Sequence, residues 1–525
     1  MLSDRRASRL AHDERDWTFD RRLVARKPSE LVKRAGLRQS IPAGAANVDV
    51  MMFRYQKSAL SCAVCAALSA CSLAPPYERP SVPAPPQAYQ GAEGWKVARP
   101  ADRVERGAWW RVYRDPLLDQ LEGRVDGSNQ DIRAGFARLE QARAQTRVAR
   151  AEYFPTVSAN ATVQHYRNSM RGPNYSAAMP TVTSDLVLNT DLSYEADVWG
   201  RVRNSVSAAG LGEQASVADF AVLSLAVHAE LAGDYFILRG ADAEQEILDQ
   251  TVSDYARALA LTERLHEGGL AAKADVDQAR AQLESARTRA SETHLLRAQA
   301  EHAIGVLLGE SPSIFRLHVN ALSLEASPPS IDPGLPSELL ERRPDIAAAE
   351  RRVAASNAQI GVARAAYFPV FNLLTAAGFE STQASTWISA PARIWSFGPQ
   401  AMLTLFDAGR RRAQTAQTLA AHDEKVAEYR GTVLAAYQDV EDSLTALHDL
   451  ELESRSEDAA VDSTAGALKQ SQYQYQTGLV TYLQVVVTEN AALAARLAAV
   501  EIAIRRLNAS VLLIKALGGG WGEGQ

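Results

Sequence analysis

The chain has 525 residues and a formal charge of −6, with 22 % charged and 46 % hydrophobic residues. That balance excludes a disordered polymer, and an acidic chain is a poor partner for nucleic acid. The nine histidines are scattered, none in H-E-x-x-H spacing, and the three cysteines all precede residue 72, so no metal site, cofactor or disulfide framework is expected.

Residues 1–50 carry eleven Lys/Arg against seven Asp/Glu with no clear period. Met51-Met52 then opens a short basic region with Arg54 and Lys57, succeeded by the small apolar stretch Ser58 to Leu68 and by Leu68-Ser69-Ala70-Cys71. This is the layout of a secretory signal peptide, and its end resembles the bacterial lipoprotein box, in which Cys71 becomes the lipidated first residue. Since a signal peptide opens a chain, residues 1–50 read as an upstream extension and translation as starting at Met51 or Met52. Removing residues 1–70, with thirteen Lys/Arg against seven Asp/Glu, takes the formal charge from −6 to −12. Residues 71–108 are rich in proline (Pro75, Pro76, Pro80, Pro83, Pro85, Pro86) and read as an extended linker holding a domain off a membrane surface.

Beyond the linker the chain repeats itself. Residues 148–155, VARAEYFP, return as residues 362–369, VARAAYFP, at an offset of 214. Asp197-Val198-Trp199-Gly200-Arg201 returns one residue shorter as Asp407-Ala408-Gly409-Arg410, and Gly269-Leu270 returns as Gly478-Leu479 at an offset of 209. A repeat of this length is a duplicated half-protein. The expected halves are 109–310 and 344–517, with a linker at 311–343 and a flexible tail at 518–525.

Each half has the same contents. Trp109-Trp110 and Asp115-Pro116-Leu117 start the first folded element, Pro116 suiting a first helical turn. Asn129 to Tyr153 is helical, and Pro155 ends it. Leu186, Leu188, Leu192 and Tyr194 then alternate with Asn189, Asp191, Ser193 and Glu195, a period of two with one apolar face. That length matches a barrel strand crossing a membrane. Thr156 to Gln164 is its expected partner, across the loop Arg167 to Ser184. The second half offers a strand after Pro369, a loop around Glu380 to Ser396 and a strand from about Pro399 to Phe406.

A very long helix comes next, from about Val202 to Leu265. Its stripe Phe220, Leu223, Val227, Leu231, Tyr235, Leu238 steps by 3.6 residues, as does Tyr429, Val433, Tyr437, Val440, Leu444, Leu447 in the second half. At roughly 1.5 Å per residue such a helix runs on the order of 100 Å and needs packing partners along its length. Each turns at glycine (Gly268-Gly269, then Gly478) and returns as a second helix, to about Leu308 and Ala516. Four membrane strands cannot close a barrel, and an open edge in lipid leaves backbone groups unpaired. Two copies would supply eight strands and three would supply twelve. A closed tube continued by helices is a conduit.

In this order and spacing the motifs resemble those of the TolC/OprM-like outer-membrane efflux factors, in the lipoprotein branch that serves RND pumps. The residues that carry the resemblance are LERRPDIAAAERRVAASNAQIGVARAAYFP at 340–369, YEADVWGRVR at 194–203, LFDAGRRR at 405–412, Leu517-Gly518-Gly519-Gly520-Trp521, Trp109-Trp110 and Cys71. The resemblance implies a mixed α/β membrane channel, a homotrimer with a twelve-strand β-barrel and a twelve-helix α-barrel. It also implies a periplasmic membrane-fusion adaptor, an inner-membrane RND pump and outer-membrane lipid as partners, and passive export of small molecules without catalysis. The alternative class is a structural lipoprotein serving as a helical envelope spacer, which would need no amphipathic strands.

Candidate site residues fall into two groups. Trp199, Gly200, Asp407 and Gly409 read as strand-to-helix junctions, with a ligand site the less favoured reading. The turns Gly268, Gly269, Leu270 and Gly478, Leu479 read as the end farthest from the strands. The resemblance places the periplasmic aperture just inside them, at Asp275 and its counterpart Gln484, with Val487 where the family commonly has aspartate. The plain alternative for Asp275 and Asp277 is a solvated helix start. Arg342-Arg343-Pro344-Asp345 reads as a helix start in preference to a phosphate site. His228 and Glu230 lie on different helix faces, and Gly518-Gly519-Gly520 lacks the lysine of a P-loop.

The lipoprotein box yields the first prediction. Mass spectrometry of the mature protein should find an acylated N-terminus at Cys71 and no peptide from Arg5 to Val50. Cys71→Ser should impair processing more than folding. An unmodified N-terminus beginning elsewhere contradicts this reading.

Overall fold

The structure is a computed structural model describing residues 72–82, 107–172, 176–178, 180–323, 328–329, 331 and 342–519. The expectations for Met51, Met52, Cys71, Pro83 to Pro86, Gly520 and Trp521 lie outside those residues. After a short 3₁₀ turn at Trp109–Tyr113 come helices α1 (Pro116–Ser128) and α2 (Gln130–Ala151), strands β1 (Thr156–Arg167) and β2 (Val182–Ala196), and helices α3 (Arg201–Glu267) and α4 (Lys273–Leu307). The second half has α5 (Pro344–Ala365), β3 (Val370–Ser381), β4 (Arg393–Met402), α6 (Arg410–Gln476) and α7 (Tyr482–Ala516).

The duplication holds to the residue. The long helices α3 and α6 both have 67 residues, and the return helices α4 and α7 both have 35. The offset is 214 up to the third strand and 209 from α6 onward, so the five residues missing from the second half are lost between β3 and α6. Local chemistry sets the helix starts. Asp115 accepts from the N–H groups of Leu117 (2.9 Å) and Leu118 (3.2 Å) with Pro116 in the first turn. Asn129 accepts from Asp131 and Ile132 and donates to the Leu307 carbonyl at 2.8 Å.

The sheet is antiparallel in the order β1-β2-β3-β4. Val163 opposes Leu186, Leu188 opposes Phe379, Thr375 opposes Phe397 and Ala377 opposes Trp395. Residues directly opposite share a face and neighbours alternate. One face therefore gathers Val157, Leu186, Leu188, Leu192, Tyr194, Phe379, Trp395 and Phe397. The other carries Asn160, Asn189, Asp191, Glu195 and Asn372, and there the Asn160 amide donates to Asp191 at 2.5 Å. The last strand departs from the expected Pro399–Phe406. Met402 already opposes Val370, the first residue of β3, so Leu403 to Phe406 have no strand to pair with. Pro399 falls inside β4, which is an edge strand within one chain, where proline is found.

Both expected stripes are buried through their centres. Leu231, Tyr235 and Leu238 are fully enclosed with Leu118, Leu121 and Ile304, and Tyr429, Val433 and Val440 with Ile346, Val353 and Leu513. Small residues let the helices close up: a Cβ on Gly240 would overlap the side chain of Ile504 on α7. The helix start at Arg343-Pro344-Asp345 is also a tie. Arg343 pairs with Asp345 (2.8 Å) and with Asp439 of α6 (3.0 Å), and donates to the Ala516 carbonyl (2.9 Å).

Two stretches expected to be loose are docked. Residues 72–82 do not stand away from the helices. Ser72 donates to Asn204 (3.1 Å), Asn357 donates to the Pro75 carbonyl (2.9 Å), and Arg79 reaches the Tyr429 hydroxyl (3.1 Å) and Glu350 (3.2 Å). An extended chain leaves its carbonyls unpaired, and donors on the helices satisfy them. Gly518 and Gly519 are not tail but cap: both have positive φ, and the Gly519 N–H donates to Ile514 at 2.9 Å.

His228 is buried with its Nδ1 2.6 Å from Glu122, its Nε2 3.1 Å from Asp126, and Trp110 stacked on its ring at 4.7 Å. It pins α1 to α3, and Glu230 is not among its partners. Burial alone would lower His228, but the two carboxylates more than offset it and leave its pKa raised. Burial pushes Glu122 up to about 7. Both groups hold protons more tightly when folded, so the stabilisation is complete below their unfolded pKa values and is lost as pH rises through the folded ones. Thermal unfolding in detergent should therefore weaken from pH 5 to pH 8, by about 1–3 kcal/mol. His228→Gln together with Glu122→Gln should flatten that dependence, and an unchanged slope in the double variant would contradict the assignment.

Candidate functional site

The junctions between strands and long helices use one device twice. Asp197 accepts from the N–H groups of Val202 (3.0 Å) and Arg203 (2.9 Å), while Gly200 takes φ +78°. Asp407 accepts from Gly409 (3.1 Å) and Arg411 (3.2 Å), with Gly409 at φ +86°. The left-handed backbone is what glycine supplies, and a carboxylate suits the positive end of the helix. The Arg411 guanidinium, 2.6 Å away, holds the Asp407 carboxyl below its ordinary range. Trp199 does more than end a strand. Its Nε1 donates to the Pro369 carbonyl at 2.8 Å and its ring stacks on Phe368 at 4.7 Å, so it joins the two halves. Sequence reasoning placed Arg201 at the junction with Trp199 and Gly200 but not its ion pairs, to Glu195 (2.7 Å) and Glu152 (3.2 Å). The acid-before-base order in YEADVWGRVR was the available signal.

The turns at the other end are equally alike. Gly269 N–H donates to His266 (2.9 Å) and Leu270 N–H to Leu265 (2.8 Å); Gly478 N–H donates to Tyr475 (2.9 Å) and Leu479 N–H to Gln474 (2.8 Å). Gly269 and Gly478 have φ +73° and +76°, the Schellman geometry. Leu270 and Leu479 are 80 % and 73 % exposed, so each hairpin ends in an uncovered apolar tip. Gly268 itself is right-handed, at φ −79°.

Asp275 sits just inside the first tip and caps its own helix, accepting from the Ala272 N–H at 3.2 Å and donating its own N–H back at 3.1 Å. Asp277 pairs with Lys273 at 3.5 Å. Gln484 is exposed and its side chain caps nothing. The structure instead brings Asp275 near two tyrosines of the second hairpin, Tyr475 and Tyr482, whose rings lie 5.6 Å apart across the Gly478 turn. Burial first, and Asp275 second, raise Tyr475 above its ordinary value. Tyr482 also packs with Val485, Val486 and Ala279 of α4, which holds the hairpins together below their tips. These tyrosines, written YQYQTGLVTY around the turn, were the residues not singled out from sequence.

Asp275→Ala should fray the first turn of α4 at a cost of about 1 kcal/mol, read as roughly fivefold faster hydrogen exchange at 272–276. Asp275→Asn should retain most of the protection. Unchanged exchange in the alanine variant would remove the capping role.

Known proteins share this geometry. Residues 123–310 and 335–519 match the outer membrane efflux protein family. Outer membrane protein OprJ of Pseudomonas aeruginosa is 32 % identical over 460 residues, covering 87 % of this chain and 95 % of that protein. The cation efflux system protein CusC of Escherichia coli is 28 % identical over 459 residues, covering 87 % and 97 %. Among solved structures, the outer-membrane channel OprN superposes with a TM-score of 0.76 at 30 % identity, covering 86 % of this chain and all of that one. The open state of the Neisseria gonorrhoeae MtrE outer membrane channel gives 0.73 at 27 %, covering 86 % and 98 %.

Proposed function

The chain belongs to the outer membrane efflux protein family, and from that premise we propose that it works as a homotrimeric, passive exit duct for small molecules. It is the outer-membrane channel component of an efflux pump, extending into the periplasm, and not an enzyme. The observation that supports assembly into a closed barrel is the sheet, and the family supplies the number three. Among the described residues β1 pairs only with β2 and β4 only with β3, so both ends of a four-strand sheet with one apolar face are open. Pairing β1 of one copy with β4 of the next closes a barrel, and three copies give the twelve strands of the family's architecture. A helical spacer would have no use for that apolar face.

The two tips of each copy would then form a ring of six around one mouth, where a periplasmic membrane-fusion adaptor packs helical tips against Leu270 and Leu479. The inner-membrane RND pump stands behind the adaptor. Asp275 and Gln484 would line the mouth just inside, one acid per copy. That is half the charge two acidic repeats would bring, and it supports a duct without strong cation preference. Toluene and cation efflux appear in the names of relatives, and this chain is assigned the common element, small-molecule export.

Gly478→Val separates the turn from the barrel. A Cβ there meets open space, so the cost is backbone strain at positive φ alone, about 1–3 kcal/mol. Export in a drug-susceptibility assay should fall while the trimer stays in the outer membrane, and single-channel recordings should show altered opening. Loss of the trimer would reassign the turn to folding, and unchanged export would remove it from adaptor coupling.

A further inference from the structure

We propose that each seam between adjoining copies of this chain holds an anionic phospholipid of the inner leaflet by its headgroup phosphate, between Arg147 and Arg150 of one copy and Arg410 and Arg412 of the next. The proposal rests on the trimeric reading above, and its first support is where the charges lie. Strand β1 begins where α2 ends, and β4 ends where α6 begins. Pairing β1 with the next copy's β4 in the antiparallel sense therefore brings the end of α2 beside the start of α6.

Both segments are basic and lack acids. From residue 141 to the end of α2 there are three arginines and no Asp or Glu, and residues 410–422 likewise hold three arginines and none. Arg143 and Arg411 are satisfied by Glu140 (2.6 Å) and Asp407 (2.6 Å). The side chains of Arg147, Arg150, Arg410 and Arg412 are exposed and have no ion pair or hydrogen bond among the described residues. Three arginines at the start of α6 also oppose the helix dipole. Closing the seam sets four uncompensated cations against one another, and the nearest carboxylates, Glu152 and Asp407, are engaged by Arg201 and Arg411. A shared anion removes the repulsion, and a phosphate takes guanidinium groups in fork geometry.

Depth selects the anion. Exposed aromatic side chains, among them Phe154 just before β1 and Phe406 just after β4, stand between the strands and the helices along the chain. Arg150 and Arg410 each lie four residues along the chain from these phenylalanines, and Arg147 and Arg412 seven and six. Apolar band, aromatic tier and cationic tier is the order of a membrane interface, with arginine at phosphate depth. An independent mark of that level is the chain after the expected lipidation site. Ser72 is hydrogen-bonded to Asn204 in the first turn of α3, and the Leu73 carbonyl accepts from Arg364 near the end of α5 (3.4 Å). By the duplication Arg201 corresponds to Arg410, so Ser72 is tethered at the height of the arginine tier.

The test uses the purified, acylated protein in detergent, incubated with phosphatidylglycerol, phosphatidylcholine or inorganic phosphate. Native mass spectrometry reads bound lipid and copy number together. Up to three phosphatidylglycerol molecules should be retained per trimer, in preference to phosphatidylcholine, and phosphatidylglycerol but not phosphate should raise the melting temperature. Arg150→Gln with Arg412→Gln should cut retention by about tenfold, at roughly fivefold per arginine near a charged surface and less where they share one phosphate. Arg138→Gln, earlier on α2, should leave it unchanged. Should the double variant fail to assemble, Arg410→Glu supplies the anion within the protein and should yield a trimer whose stability no longer responds to phosphatidylglycerol. Equal retention of the two lipids, stabilisation by inorganic phosphate alone, or full retention in the double variant overturns the proposal. A copy number other than three would instead overturn the trimeric reading, so the two failures are distinguishable.

Discussion

Strands β1 and β4 each leave a row of backbone N–H and C=O groups without partners inside the chain, and in hydrocarbon each such group costs several kcal/mol. Nothing else in the molecule weighs as heavily. The apolar face of the sheet requires lipid and the open edges forbid it, unless the edges meet those of another copy. Assembly is thus a condition of inserting the sheet at all, which the helices alone would never impose. The junction devices arise from the same demand. Asp197 with Gly200 and Asp407 with Gly409 turn the second and fourth strands into helices without leaving the first helical N–H groups unpaired at the boundary.

Below the junction the problem changes from hydrogen bonding to length. A helix of 67 residues cannot be stabilised by propensity. Its membrane half is held by a dense core around Tyr235 and Tyr429 and by glycine and alanine contacts that bring backbones close. Side-chain ties such as Arg343 to Asp439 and Arg297 to Asp242 (2.6 Å) cross between elements there. The docked segment 72–82 adds a strap across α5 and α6, coupling the expected lipid anchor to the helices as well as to the bilayer.

Most of this architecture was legible because it is periodic or repeated. The stripes stepping by 3.6, the alternation at Leu186 to Glu195 and the two VARA-YFP runs each map to an element. The features that escaped are aperiodic. The end of β4 depends on where β3 starts, a pairing fact invisible in Leu403 to Phe406, whose apolar character favours a strand. His228 with Glu122, and Tyr475 with Asp275, join residues far apart in sequence, and no spacing rule connects them. Residues 72–82 have the composition of a linker, and partners on other elements, the donors Asn357 and Arg430 and the accepting Tyr429 hydroxyl, turn them into part of the fold.

The two hairpins, equal in length, are unequal in packing. Along α3 burial continues past the midpoint to Leu248, Tyr255 and Thr262, near the tip. Along α6 the buried residues after Leu450 are reduced to Ser471 alone among the described residues. Local opening is cheapest where apolar burial is sparse, so within one copy the outer half of α6 is the part that moves at least cost. Its hold on the neighbouring hairpin comes from α7, through Tyr482, Val485 and Val486, directly beneath Gly478. A push on the exposed Leu479 would reach that small cluster before any large core. The duplication therefore sets two like turns at the hairpin ends but gives them different mechanical backing within one copy, firm under Gly269 and yielding under Gly478. In the proposed ring of six tips, alternating firm and yielding backing would let the mouth widen without disturbing the barrel at its other end.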